Sequence, residues 1–128
     1  MTLGSYKLNA SVAVSDMVAA RAFYEGRLGL SVEASGADGS RIYGSGGGAS
    51  LHVYPSSTNA GKTAATLATW YVDDMDQIVD ELEAAGVTLV RYDGLEADGR
   101  GIAPRAGGGR VAWIKDPDGN TFAIEADD

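Results

Sequence analysis

His52 is the only histidine in the 128 residues, and the chain contains no cysteine. Imidazole exchanges protons near neutral pH and is the commonest metal ligand among side chains, so His52 is the first candidate for chemistry. It lies in Ser50–Tyr54, where Leu51 and Val53 alternate with Ser50, His52 and Tyr54. That pattern describes a strand with one apolar and one polar face. From the polar face His52 can act as a base or touch a ligand; the alternative is a hydrogen-bonded structural histidine. A site of two histidines and a carboxylate cannot be built within a chain that has one histidine. Without cysteine there is no thiol nucleophile, no thiolate metal site and no disulfide frame.

Other motifs point to chemistry less well. Gly61-Lys62-Thr63 follows a strand, as in a phosphate-binding loop, but that pattern needs glycine at position 56, which is Ser56. It also needs a helix after Thr63, where a strand pattern begins. Gly44-Ser45-Gly46-Gly47-Gly48 leads into a strand and reads as a turn. Asp73, Asp74 and Asp76 are the residues that cap and complement a helix start. Trp70 and Trp113 have faces that can stack on a planar ligand. Strand alternation turns Trp70 towards a helix, whereas Trp113 suits either core or ligand.

The charge is uneven. Residues 1–64 carry a net +1 and residues 65–128 a net −9, for −8 in all. Such a surface repels phosphate backbones, which argues against nucleic acid, and it favours a cationic ligand. At 45% hydrophobic and 22% charged the chain has enough apolar residues for a packed core. No apolar run reaches membrane-spanning length, and the first residues lack a signal-peptide core. We expect a cytoplasmic location with no membrane partner.

The elements that must position these residues come in a regular order. Lys7–Val14 alternates, with Leu8, Ala10, Val12 and Val14 opposite Asn9, Ser11 and Ala13, and is expected to be a strand. Ser15-Asp16 caps a helix whose face is Met17, Ala20, Tyr24 and Leu28, and Gly29 ends it. Strands are expected at Leu30–Ala34, Arg41–Tyr43 and Ser50–Tyr54. Thr66–Val72 is a further strand. Asp73-Asp74 caps a helix carrying Met75, Ile78, Val79, Leu82 and Ala85, which Gly86 stops. Val87–Arg91 reads as a strand and Asp93–Gly109 as a long glycine-rich loop, a candidate flap. Two apolar runs, Val111–Ile114 and Thr121–Ile124, flank Asp116-Pro117-Asp118-Gly119-Asn120, whose turn chemistry specifies a hairpin.

The second half repeats the first. Val14-Ser15-Asp16-Met17 returns as Val72-Asp73-Asp74-Met75, and Gly29 returns as Gly86. A repeat of this length is the mark of structural duplication. The expectation is one α+β domain spanning 1–128, made of βαβββ modules at 7–55 and 66–126. Their strands would form a curved eight-stranded mixed sheet with a cleft.

Val14-Ser15-Asp16-Met17, Phe23-Tyr24-Glu25, Leu28-Gly29-Leu30 and the hairpin Ala112–Asn120 resemble the motifs of the vicinal-oxygen-chelate superfamily. That group includes glyoxalase I, extradiol dioxygenases, fosfomycin-resistance enzymes and bleomycin-resistance proteins. The resemblance covers 7–126 and speaks to fold more than to reaction. It implies metal-ligand positions at Asn9, His52, Leu67 and Ala123, with Glu125 two residues further along the same strand face. Leu67 and Ala123 donate nothing and Asn9 is a weak ligand, so no metal and no cofactor are expected. The departure points to the non-metal, bleomycin-resistance-like branch, whose members sequester a drug in clefts at a dimer interface. The expected function is capture of a small aromatic or cationic natural product by a homodimer, as in antibiotic resistance. Asn9, Ser11, His52, Tyr54, Thr69 and Tyr71 are the expected contacts, with Tyr43 and Trp113 as stacking platforms. The rival reading is an enzyme, a lyase or isomerase of the lactoylglutathione-lyase type, using a divalent metal or His52 as base. A binder of an ordinary metabolite is a third.

Overall fold

The structure, a computed structural model, describes residues 2–128. It divides into two compact units, the first ending at Ala60 and the second starting at Gly61. Each contains one four-stranded mixed sheet, so the eight strands are shared between two sheets.

In the first unit, β1 (Ala10–Val14), β2 (Ser31–Ser35), β3 (Arg41–Gly44) and β4 (Ser50–Pro55) lie in the order β1-β4-β3-β2. β1 runs parallel to β4 and the other pairs are antiparallel. Helix α1 (Met17–Arg21) starts at Asp16, whose carboxylate accepts from the Val18 and Ala19 amides. Its chain then widens into a π-type turn over Ala22–Arg27, closed by the Leu28 amide on the Phe23 carbonyl. The wider turn lets two consecutive residues, Phe23 and Tyr24, both point inward, where their rings meet edge to face at 5.1 Å. Helical spacing alone selects only Tyr24. Val12, Val14, Tyr43, Leu51 and Val53 share the opposing core. Each such side chain contributes about 1.5–3 kcal/mol through burial.

The second unit repeats this plan. β5 (Thr66–Val72), β6 (Ala103–Pro104), β7 (Arg110–Lys115) and β8 (Thr121–Ala126) lie in the order β5-β8-β7-β6, with β5 parallel to β8. Helix α2 (Met75–Ala84) is capped by Asp74, which accepts from the Gln77 amide. It packs on β8 and buries Met75, Val79 and Leu82. Asp16 and Asp74 thus do the same work 58 positions apart.

Two strands differ from expectation. The first begins at Ala10 rather than Lys7. Its partner β4 starts at Ser50, opposite Asn9, so Lys7 and Leu8 have no strand to pair with, and Leu8 is 86% exposed. Val87–Arg91 makes only an isolated bridge, from the Val90 amide to the Trp113 carbonyl at 2.8 Å. Its alternation is real, since Val87 and Leu89 are buried, but it serves packing and not pairing. The sheet edge is taken by β6, from within the segment expected to be loop. A turn bonded between Arg105 and Gly109 folds β6 back on β7. Gly109 has φ +82°, and a Cβ there would lie 2.2 Å from the Ala126 carbonyl oxygen, so the turn requires glycine.

The Asp116–Asn120 turn forms as expected. The Asp116 carboxylate accepts from the Asp118 and Asn120 amides at 3.0 and 2.8 Å and from the Asn120 side-chain amide at 2.8 Å. Asn120 in turn accepts from the Gly61 amide at 3.2 Å.

Candidate functional site

Paired residues on adjacent strands put their side chains on the same face of a sheet. In the first unit the register pairs Ser11 with His52, Ala13 with Tyr54 and His52 with Ile42. Ser11, His52 and Tyr54 therefore stand on the face opposite Val12, Leu51 and Val53. Ser11 Oγ lies 3.5 Å from His52 Nδ1, and the His52 and Tyr54 rings stack with centroids 5.4 Å apart. Asn9 joins them at the strand end, where its side-chain carbonyl accepts from the Ser50 hydroxyl. The Asp38 carboxyl is held low chiefly by the Ser40 hydroxyl and amide. His52 has no carboxylate bonded to it among the described residues. It therefore lacks the group that orients a histidine base in acid–base triads. As placed, it is a half-exposed hydrogen-bonding and stacking surface.

Tyr43 has to be corrected. It pairs with Leu51 and not with His52, which turns it to the helix side. It is 0% exposed, stacks on Tyr24 at 5.9 Å, and donates to Glu25 Oε2 at 2.9 Å. Burial, and next the bond to Glu25, push its hydroxyl well above the ordinary tyrosine range. It is a core residue with no surface for a stacked ligand.

In the second unit, Thr69 pairs with Ala123 and Tyr71 with Glu125 across β5 and β8. Ala123 also pairs with Trp113, and Glu125 with Val111. Thr69, Tyr71, Trp113 and Glu125 thus share the face opposite α2. Ala103, Val111 and Ala123 form a small buried cluster there, with Ala97 and Trp113 packed on it. Trp113 meets Tyr92 edge to face at 5.1 Å, while Tyr71 is 78% exposed. Trp70 takes the other face, 5.4 Å from the Phe122 ring. Leu67 lies at the irregularity in β5.

Sequence reasoning did not select Tyr92 or Ser50 and did not count Glu125 as a contact. Alternation in β8 already placed Glu125 beside Ala123. Tyr92 sits in an irregular segment that carries no periodic signal. Among the described residues no three His, Cys, Asp or Glu side chains come together in a group suited to a metal. No helix among them is long and apolar enough to cross a membrane.

No curated protein matches the chain. Among solved structures it is similar to TnmS3, an antibiotic binding protein from Streptomyces sp. CB03234, at 26% identity, TM-score 0.71, and 96% coverage of both chains. A glyoxalase/bleomycin resistance protein from Catenulispora acidiphila is 25% identical, with TM-score 0.69 over 94% of this chain and 96% of that one. The fosfomycin resistance protein FosX from Listeria monocytogenes shares the fold at 16% identity, TM-score 0.70, over 94% and 92%. The model of the Glyoxalase/Bleomycin resistance protein/Dioxygenase superfamily matches residues 8–124, and the chain belongs to that superfamily.

Proposed function

We propose that this protein captures a small planar natural product non-covalently and holds it unchanged, in the manner of an antibiotic-binding protein. The observation that carries the reading is the donor chemistry at the four positions where the superfamily resemblance implies metal ligands. Leu67 and Ala123 have no donor atom. Asn9 is engaged with Ser50, and His52 lies against Ser11 and Tyr54. These residues do not fit a divalent ion that needs about three strong donors. What the two open faces offer is hydrogen bonding from Asn9, Ser11, His52, Tyr54 and Thr69, and aromatic surface from Tyr54, Tyr71 and Trp113. The likeness to an antibiotic binding protein supports the same use. The reading includes a homodimer, as the superfamily resemblance implies for drug-sequestering members.

Elemental analysis of the purified protein tests the donor argument. We expect far less than one Zn, Ni, Fe or Mn per chain. About one metal per chain, lost in His52→Ala, would overturn it and favour the lyase or isomerase alternative.

A further inference from the structure

Glu125 is the half-buried carboxylate that the fold leaves unused. Of the other acidic side chains that are not fully exposed, Glu25 is bonded to Arg21 and Tyr43, and Asp116 is consumed by its turn. Asp118 also has an interaction of its own. Glu125 has no hydrogen bond or ion pair among the described residues, yet it stands between Tyr71 on one neighbouring strand and Val111 on the other.

The local cation, Arg105, makes no hydrogen bond to Glu125 among the described residues. Arg105 is near enough for its charge to feel Glu125 and Tyr71. Its Nη2 donates to the Asp127 carboxylate at 2.5 Å and its Nε to the Gly108 carbonyl at 2.9 Å. A metal ion is a poor occupant, because one carboxylate with no second strong donor beside it cannot hold one.

We propose, building on the capture reading, that Tyr71 and Glu125 form a subsite for a protonated amine carried by the aromatic ligand. The ammonium lies against the exposed Tyr71 ring, where the negative face of the π system attracts it. Its N–H groups donate to the Glu125 carboxylate in a charge-assisted bond. Thr69, on the same face of β5, lies one pleat repeat from Tyr71. The acidic bias of residues 65–128 raises the local concentration of such a cation.

The test uses matched ligand pairs in equilibrium titrations of the full chain. One pair is an amino-sugar anthracycline and its counterpart with a hydroxyl in place of the amine. The second is an aminoalkyl acridine and its hydroxyalkyl analogue. In the wild type the amine form should bind about tenfold tighter than the hydroxyl form, the usual value of a hydrogen bond to a charged group. Glu125→Gln should erase that preference, chiefly by weakening the amine form. Tyr71→Phe, which keeps the ring, should retain the preference, and Tyr71→Ala should reduce it. Equal affinities within each pair, or a preference that survives in Glu125→Gln, overturns the amine subsite while capture stands. Failure of either member of both pairs to bind overturns the capture reading and the subsite with it.

Discussion

Tyr43 shows how much one strand position decides. Had it paired with His52 it would stand on the face of Ser11 and Tyr54; paired with Leu51 it lies under the helix, its hydroxyl on Glu25. Tyr43→Phe therefore removes one largely buried, charge-assisted bond and no binding surface. We expect a loss of about 1.5 kcal/mol in urea unfolding, with ligand affinity unchanged in a titration of the same variant. A weakened ligand at unchanged stability would return Tyr43 to the site. Alternation in Ser50–Tyr54 was enough to place His52, because that strand has a consistent two-sided pattern. Arg41–Tyr43 is too short for its alternation to say which side meets the helix; that information lies in the register with β4.

At the scale of elements, acidic side chains secure several local structures, and their titration makes stability depend on pH. The Arg21 guanidinium holds the Glu25 carboxyl below the usual range despite opposing burial, and Tyr43 adds to this. Burial pushes Asp98 up, but the Ile102, Arg100 and Gly101 amides outweigh it and leave it low. The Arg110 guanidinium lowers Asp76. Groups with a depressed folded pKa stabilise above their unfolded value, about 4, and lose that contribution as pH falls from there through the lower folded pKa. The urea midpoint should be nearly flat from about pH 7 to 5 and fall below about pH 4.5. A midpoint that rises on acidification would contradict these assignments.

The helices and hairpin were readable because capping and turn chemistry are local. Asp16, Asp74 and the Asp116–Asn120 turn need only their own neighbours. β6 was not readable, since Ala103-Pro104 has no strand pattern and is defined by the turn that presses it on β7. Phe23, which points inward beside Tyr24, was missed for a related reason: the widened turn breaks the 3.6-residue spacing on which the helix reading depends.

At the scale of the whole molecule, the duplication was legible from Val14–Met17 and Val72–Met75, and both units have the same strand order. The ligand was not legible, because one fold hosts many chemistries and does not specify what it binds. The capture reading includes a homodimer, and we expect roughly 800 Å² or more buried per chain. Light scattering at micromolar concentration should give twice the chain mass; a monomer would count against an interface site.

In the capture reading the bound molecule leaves as it came. The direct measurement is mass balance by liquid chromatography and mass spectrometry after prolonged incubation of a stoichiometric complex with whichever planar aromatic drug binds most tightly. The ligand should be recovered intact and in full, and His52→Ala should weaken binding by about 1 kcal/mol, as expected for one lost hydrogen bond. Recovery of a converted product, with His52→Ala still binding but unable to form it, would contradict sequestration and make His52 a catalytic base.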